Sequence, residues 1–451
     1  MVKGQIDKNR KNNIKLTKSK PNLVYILSAS GFFEFEKVGF EKRLYDQFRE
    51  TSKYYKNIFI LSADTKSYQR DLPKNCQHNY IKFPNLLNKP IIRRIKLLIF
   101  LIFSPIIFRN KFKQADIIEA RFIEGGVTGL IASKIYNKPV VLWFPWWWSD
   151  YFKDYSLLMS KLARKLECLI FKNADMVLVP TTELLNAIKS CTPKKIDYLV
   201  NFINTDLFQQ KKSWKLREPI EIISIGSLIE RKNHSVILNA SALAKSESQK
   251  DIKVTFIGDG PLYGRLKNMA KELNMSLTIY RKMKNEKIPT FLRNSDIFIM
   301  ASKKEGNPKA LLEAMSCGLP CIGTNASGIK EVINHEENGI LVSDNAKALS
   351  KKICHLIDNR KWRKKIGEKA RRFIVEKYSL TNVIKNESKI LNKIINDTPI
   401  DLKLSQGSIG TCLKEIVEMV MLLIIIICID PLFIAWKYLK EIKQSIFEKG
   451  T

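Results

Sequence analysis

Short apolar runs, each followed by a turn and then a helical stretch, recur along this chain and leave it few folds to choose from. Residues 23–28 (LVYILS), 56–62 (KNIFILS), 116–119 (DIIE), 139–143 (PVVLW) and 176–180 (MVLVP) are of this kind. Runs that are apolar throughout, rather than alternating, belong to strands covered on both faces. With helical stretches between them they predict a parallel, doubly wound sheet. The pattern pauses over residues 198–208 and a charged segment at 211–218. It then restarts with 221–226 (EIISIG), 253–258 (KVTFIG), 296–301 (DIFIMA) and 320–323 (PCIG). The expectation is α/β: two such domains facing a cleft, where ligands of open α/β sheets gather at the carboxyl ends of strands.

The chain has 451 residues and a formal charge of +33, which is enough length for two cores. Such a charge suits an anionic partner: phosphorylated substrates, acidic lipid or nucleic acid. A nucleic-acid binder would interleave aromatic and basic residues on one face. Here the cations are spread over helices and tails, so no nucleic-acid partner is expected. The eight cysteines have no zinc-ligand spacing, several lie in apolar runs and read as small core residues, and nothing in them demands an oxidising compartment. The first twenty residues are basic and polar without an apolar stretch of the secretory kind, so the chain is expected in the cytoplasm.

Two segments break the soluble pattern. Residues 90–111 (PIIRRIKLLIFLIFSPIIFRNK) hold an apolar body between basic ends. The segment is short and interrupted by Pro, which favours an interfacial element over a span; a buried helix is the alternative. Residues 416–436 are long enough to cross a bilayer, yet Glu418, Asp430 and Pro431 interrupt them. A span, a re-entrant hairpin and an amphipathic helix all fit.

The chemistry concentrates in SKKEGNPKALLEAMSCGLP, residues 302–320. Glu305 precedes a helix that Pro308 opens, and Glu313 lies further along it. Between them lie the free N–H groups of the helix N-terminus, which favour phosphate. Carboxylates on either side of an anion site suit a diphosphate with hydroxyls at both ends, as in a nucleotide sugar. Upstream, Gly226 ends an apolar run, and Arg231 and Lys232 open a helix. Glycine permits close approach of a ligand, and the two cations can neutralise a diphosphate. No Asp-x-Asp pair is present to hold a metal-bound diphosphate, so neither metal nor cofactor is implied.

Together with FIGDGP (256–261) and NASGIKEVINHEENGILV (325–342), these motifs resemble glycosyltransferase family 4. Its members are retaining enzymes of GT-B architecture, two Rossmann-like domains facing a cleft. The resemblance covers residues 221–380 closely, with VNFINTDLF (200–208) similar to the family's interdomain segment, and the N-terminal half in outline. After a disordered basic tail at 1–20, read from its composition, the resemblance implies an acceptor domain at 21–205, a linker at 206–220 and a nucleotide-sugar domain at 221–400. A membrane-associated segment at 405–451 completes the division. In the implied roles Glu305 contacts the donor sugar near the reacting centre, and Lys232 stabilises the leaving diphosphate. The N–H groups of Gly306 and Asn307 meet sugar hydroxyls, those of Lys309, Ala310 and Leu311 the diphosphate, and Glu313 the ribose. Gly226, Ser227, Arg231 and Pro308 complete the donor set. Ser227 stands where the family often has Arg, with Arg231 as the candidate to compensate. The family's acceptor-side His is missing from VLWFPWWWSD (141–150), leaving Gly31, Trp146 and Asp150 as acceptor-side candidates. The implied function is hexose transfer from a nucleotide sugar to an acceptor hydroxyl; the charge and the apolar segments add the expectation of a lipid-linked or other glycan acceptor at the inner face of the membrane, with an anionic membrane surface as partner. A donor-binding scaffold without turnover and a basic nucleic-acid-binding protein are the alternatives.

Overall fold

The computed structural model describes residues 19–27, 40–63, 72–81, 90–153, 156–397 and 414–427. Gly31 and the basic tail up to residue 18 lie outside them, as do residues 398–413 and 428–451. The first sheet holds β1 (Asn22–Ile26), β2 (Asn57–Ser62), β3 (Cys76–Tyr80), β4 (Ile117–Arg121), β5 (Val140–Trp143), β6 (Met176–Val179) and β7 (Ile196–Tyr198). Its order is β3-β2-β1-β4-β5-β6-β7, parallel throughout. The second sheet holds β8 (Ile220–Ile225), β9 (Ile252–Ile257), β10 (Ser276–Tyr280), β11 (Ile297–Met300), β12 (Cys321–Thr324) and β13 (Ile340–Val342). Its order is β10-β9-β8-β11-β12-β13, again all parallel. Both orders reverse direction beside their first strand, the point where open sheets form a crevice.

Helices cover both faces of the first sheet, and each face has its own core. On one side lie the helices Pro90–Ile107, Phe122–Tyr136 and Leu157–Asn173 over Val24, Phe59, Ile118 and Val177. On the other, Phe48 of the helix Phe40–Thr51 packs with Leu23, Tyr25, Ile58 and Leu178. Pro105 stands inside the helix Pro90–Ile107 and cannot donate to the carbonyl of Leu101. The hydroxyl of Thr128, from the neighbouring helix, donates to that carbonyl at 2.9 Å and satisfies it. Gly126 and Gly129 let the same neighbour sit close: a Cβ at Gly126 would lie 2.9 Å from Ile170, and one at Gly129 3.0 Å from Val140.

In the segment 90–111, Leu97, Phe100 and Leu101 are buried, as the buried-helix alternative expects, while Ile95, Phe103, Ile106 and Ile107 are exposed. The described part of the C-terminal apolar segment, 414–427, is a helix. Met419, Leu422, Leu423, Ile426 and Ile427 join the first domain's core, and Glu418 pairs with Lys165 at 2.6 Å. No helix among the described residues is long and apolar enough to cross a membrane; residues 428–436 fall outside them. Cys168 and Cys191 form a disulfide between the helix Leu157–Asn173 and the turn Lys189–Cys191. Cys76, Cys317, Cys321 and Cys354 are free thiols.

The chain crosses between domains twice, and the two crossings are joined. Ile203 N–H donates to the Tyr378 carbonyl, and Leu380 N–H to the Ile203 carbonyl. Beyond this point the range 221–400 assigned to the second domain departs from expectation. The helix Leu380–Asp397 returns to the first domain, where Val383, Leu391 and Ile394 are buried against Leu23 and Phe48. Arg121 at the end of β4 fixes it through Glu387 at 2.6 Å, while also pairing with Glu119. A further contact bridges the domains. The Glu331 carboxylate accepts from Thr182 N–H, Thr182 Oγ1 and Glu183 N–H at the start of the helix Thr182–Ile188.

Candidate active site

The carboxyl ends of β8, β9 and β11 converge on the cleft, and their loops approach one another at backbone distance. Gly258, after β9, has φ +157°, and a Cβ there would lie 1.9 Å from the Gly226 carbonyl oxygen. Only glycine fits. Gly226 leaves room for the stem of Lys232, whose Cδ would sit 3.6 Å from any Cβ at that position. A short 3-10 turn, Glu230–Lys232, carries both cations. It is tied to the loop after β11: Lys303 N–H donates to the Arg231 carbonyl, and the Arg231 guanidinium to the Lys304 carbonyl at 2.7 Å.

These ties bring the sequence-distant candidates together. Lys232 Nζ is in direct contact with the Glu305 carboxylate, and Arg231 approaches its other oxygen at 4.0 Å. Glu305 is buried, and its own carbonyl is held by Gly328 N–H and Ser327 Oγ. A Cβ at Gly328 would meet the Gly306 carbonyl at 2.2 Å, so the loop rests on that glycine. Ser227 adjoins this cluster, its carbonyl accepting from Ile229 N–H. Beside the cation pair, His234 packs edge-on against Phe256. Burial first, then the charge of Lys232, lowers its pKa to about 4, so the ring stays neutral.

The helix Lys309–Ser316 starts at Pro308 with no side-chain cap. Lys309 N–H turns back to Asn307, and Leu311 N–H to Pro308. Of the three N–H groups expected at a diphosphate, Ala310's is therefore the one unengaged among the described residues. Asn307 Oδ1 is buried without a hydrogen-bond partner among them. Glu313 is buried further along the helix, with Lys309 Nζ 3.2 Å from its Oε1. Both line a pocket that the first domain helps to close, with Asp46, Asn204, Asn285 and Glu286 among its walls. The sequence reading had none of these four. Asn204 Nδ2 donates to Asp46 Oδ2 at 2.6 Å across the crossing point. That contact joins residues 158 positions apart, and nothing local in either segment announces it.

The acceptor-side candidates fare differently. Asp150 is held by Lys153 at 2.7 Å and Arg164 at 3.5 Å. Trp146 is exposed, whereas Trp147 and Trp148 are buried. Trp147 packs on Phe144 and Phe171, with the Arg164 guanidinium 3.4 Å above its ring. The loop is anchored by Glu167, another residue the sequence did not flag: its carboxylate accepts from Ser149 N–H and Ser149 Oγ.

Residues 206–373, which hold the Lys232–Glu305 contact and the Glu313 pocket, match the family described as Glycosyl transferases group 1. Over those residues the chain carries a domain of the group 1 glycosyltransferases. Among similar proteins, the N-acetyl-alpha-D-glucosaminyl L-malate synthase of Bacillus anthracis is 29% identical over 237 residues. That match takes in 50% of this chain and 61% of the relative, so it spans about three fifths of that enzyme. A Campylobacter jejuni enzyme shares 25% identity over 69% of this chain and 85% of its own length. Its name, N-acetylgalactosamine-N,N'-diacetylbacillosaminyl-diphospho-undecaprenol 4-alpha-N-acetylgalactosaminyltransferase, gives a lipid-linked glycan acceptor. Among solved structures, the sucrose-phosphate synthase of Thermosynechococcus elongatus superposes with TM-score 0.65 at 16% identity, over 84% of this chain and all of that one. Anabaena HepE, determined with UDP and glucose, gives 0.60 at 16% identity, over 83% of this chain and all of its own. These likenesses establish the GT-B fold of this chain.

Proposed function

We propose that this protein is a retaining hexosyltransferase, moving a hexose from a nucleotide sugar to a hydroxyl of a lipid-linked or other glycan at the inner face of the cell membrane. The observation that carries this reading is the contact of Lys232 with Glu305, beside an uncapped helix start and a pocket ending in Glu313. A donor diphosphate placed against Ala310 N–H would meet the positive end of the helix and the Lys232 ammonium together. As the glycosidic bond breaks, negative charge grows on the departing phosphate, and a fixed cation there stabilises the transition state more than the ground state. Glu305 would orient Lys232 and hydrogen-bond the sugar. Glu313, deep in the pocket, would accept from ribose hydroxyls.

Positive charge is supplied by side chains and a helix dipole, so the reading expects no metal. Retention of configuration comes from the family resemblance, and a lipid-linked acceptor from the names of relatives such as the Campylobacter enzyme. The ion pairs that occupy Asp150 favour a mechanism without a side-chain base at that position. They also keep a second reading in play, a donor-binding scaffold without turnover.

Binding of a nucleotide-sugar panel to wild type and to Glu313→Ala tests the proposal. One donor should bind wild type, and about 10- to 100-fold more weakly to the variant, the worth of a hydrogen bond to a charged group. No binding, or equal binding by both proteins, removes the site assignment. Binding without product formation on any glycan acceptor favours the scaffold.

A further inference from the structure

We infer that the outer face of the helix Pro90–Ile107, with the adjoining end of Phe122–Tyr136, docks on an anionic lipid surface. The proposal rests on the membrane-bound acceptor of the preceding reading and names the face that would meet the bilayer. The helix is apolar on both sides. Leu97, Phe100 and Leu101 are buried in the first domain's core. On the opposite side Ile95, Ile99, Ile102, Phe103 and Ile106 form one stripe at helical spacing. Ile95 is 50% exposed, Phe103 48%, Ile106 61% and Ile107 50%, with Ile135 of the neighbouring helix at 52%. Tyr136 Oη donates to the Pro105 carbonyl at 2.7 Å, which holds the two helix ends side by side. A soluble domain leaves such side chains singly exposed; a continuous stripe marks a docking surface.

Charge decides which occupant fits. Between residues 90 and 114 the ionisable side chains are Arg93, Arg94, Lys96, Arg109, Lys111 and Lys113, without one carboxylate. Arg109 and Lys113 are exposed, and neither pairs with a carboxylate among the described residues. A second copy would bring the same cations against themselves, on a chain of net charge +33. A protein partner needs hydrogen-bonding groups across its contact, and the stripe offers none. An acyl-chain and headgroup boundary asks for just this arrangement: apolar residues inward and basic residues level with acidic lipid headgroups.

The test uses the full chain and flotation with vesicles of phosphatidylcholine mixed with phosphatidylglycerol, beside vesicles of phosphatidylcholine alone. Wild type should float with the anionic vesicles, less with the neutral ones, and less as salt rises. Two exposed cations near such a surface convert to about 25-fold in partitioning, the loss expected for Arg109→Gln with Lys113→Gln. Ile106→Asn with Ile107→Asn should lose about tenfold. Hydrogen exchange of wild type should slow over residues 95–109 when anionic vesicles are added, a readout that needs no variant. Wild type that stays unbound, variants that bind as well as wild type, or unchanged exchange over 95–109 each overturn the proposal. So does self-association abolished by the Ile106 and Ile107 changes, which would assign the face to a second copy. Donor binding measured on the same preparations separates the two claims. Intact donor binding without vesicle binding removes the docking face alone, and the converse removes the transferase reading alone.

Discussion

Replacing Glu167 by Gln should make the first domain more stable, and only above acidic pH. Glu167 lies under the loop after β5, buried, with Ser149 donating to it twice. Burial pushes its carboxyl up from the ordinary 4.5 to about 7, against the opposing pull of the Ser149 hydrogen bonds and of Arg164. The folded state therefore keeps a proton that the unfolded chain releases. Stability from this group is complete below pH 4.5 and is lost as pH rises to about 7. At ~1.4 kcal/mol per pH unit, the full loss is about 3 kcal/mol. Gln mimics the protonated carboxyl at every pH and can still accept from Ser149 N–H. The stability difference between Glu167→Gln and wild type should be near zero at pH 4.5 and grow to about 3 kcal/mol in the variant's favour above pH 7. Urea unfolding followed by tryptophan fluorescence measures it locally, since Trp143, Trp146, Trp147 and Trp148 lie in or next to this loop. Glu124, also raised to about 7 by burial, contributes equally to both proteins and cancels. A difference that is flat with pH, or that shrinks as pH rises, would refute the reasoning.

Two further changes probe the second domain. Lys232→Ala should lower turnover at saturating donor by about 100-fold, the usual cost of removing one donor to developing negative charge; a turnover within a few-fold of wild type would take Lys232 out of the chemistry. Gly258→Ala should cost at least about 3 kcal/mol, because its Cβ would meet the Gly226 carbonyl 1.9 Å away; an unchanged melting temperature would mean that the β8 and β9 loops separate easily.

Nine strands are legible as apolar runs, and all nine are interior: β2, β1, β4, β5 and β6 in the first sheet, β9, β8, β11 and β12 in the second. The four that the sequence does not announce are β3, β7, β10 and β13, the edges of the two sheets. An interior strand is covered on both faces and must be apolar throughout, so its composition betrays it. An edge strand such as β3 (CQHNY) or β7 (IDY) needs no such composition, and only its neighbour decides that it pairs. The donor-side candidates were readable for a similar reason. Glu305, Pro308 and Glu313 act through one loop and the helix it feeds, so their relation is local in sequence.

What lies between segments was settled by the folded chain alone. The sequence supplied Lys232 and Glu305 as separate candidates, and the hydrogen bonds that tie the turn after β8 to the loop after β11 brought them into contact. Asp46 enters the Glu313 pocket only because the first domain is folded against the crossing at Asn204. Asp150, free on paper, is tied up by Arg164 from the next helix. The helices at 380–397 and 414–427 carry apolar residues at spacings that any helix-covered core would accept. Which core takes them depends on where the chain crosses back at Tyr378 and on the buried partner Arg121 offers to Glu387. Periodicity says that a face must be buried; geometry and charge complementarity, which exist only between folded elements, say against what.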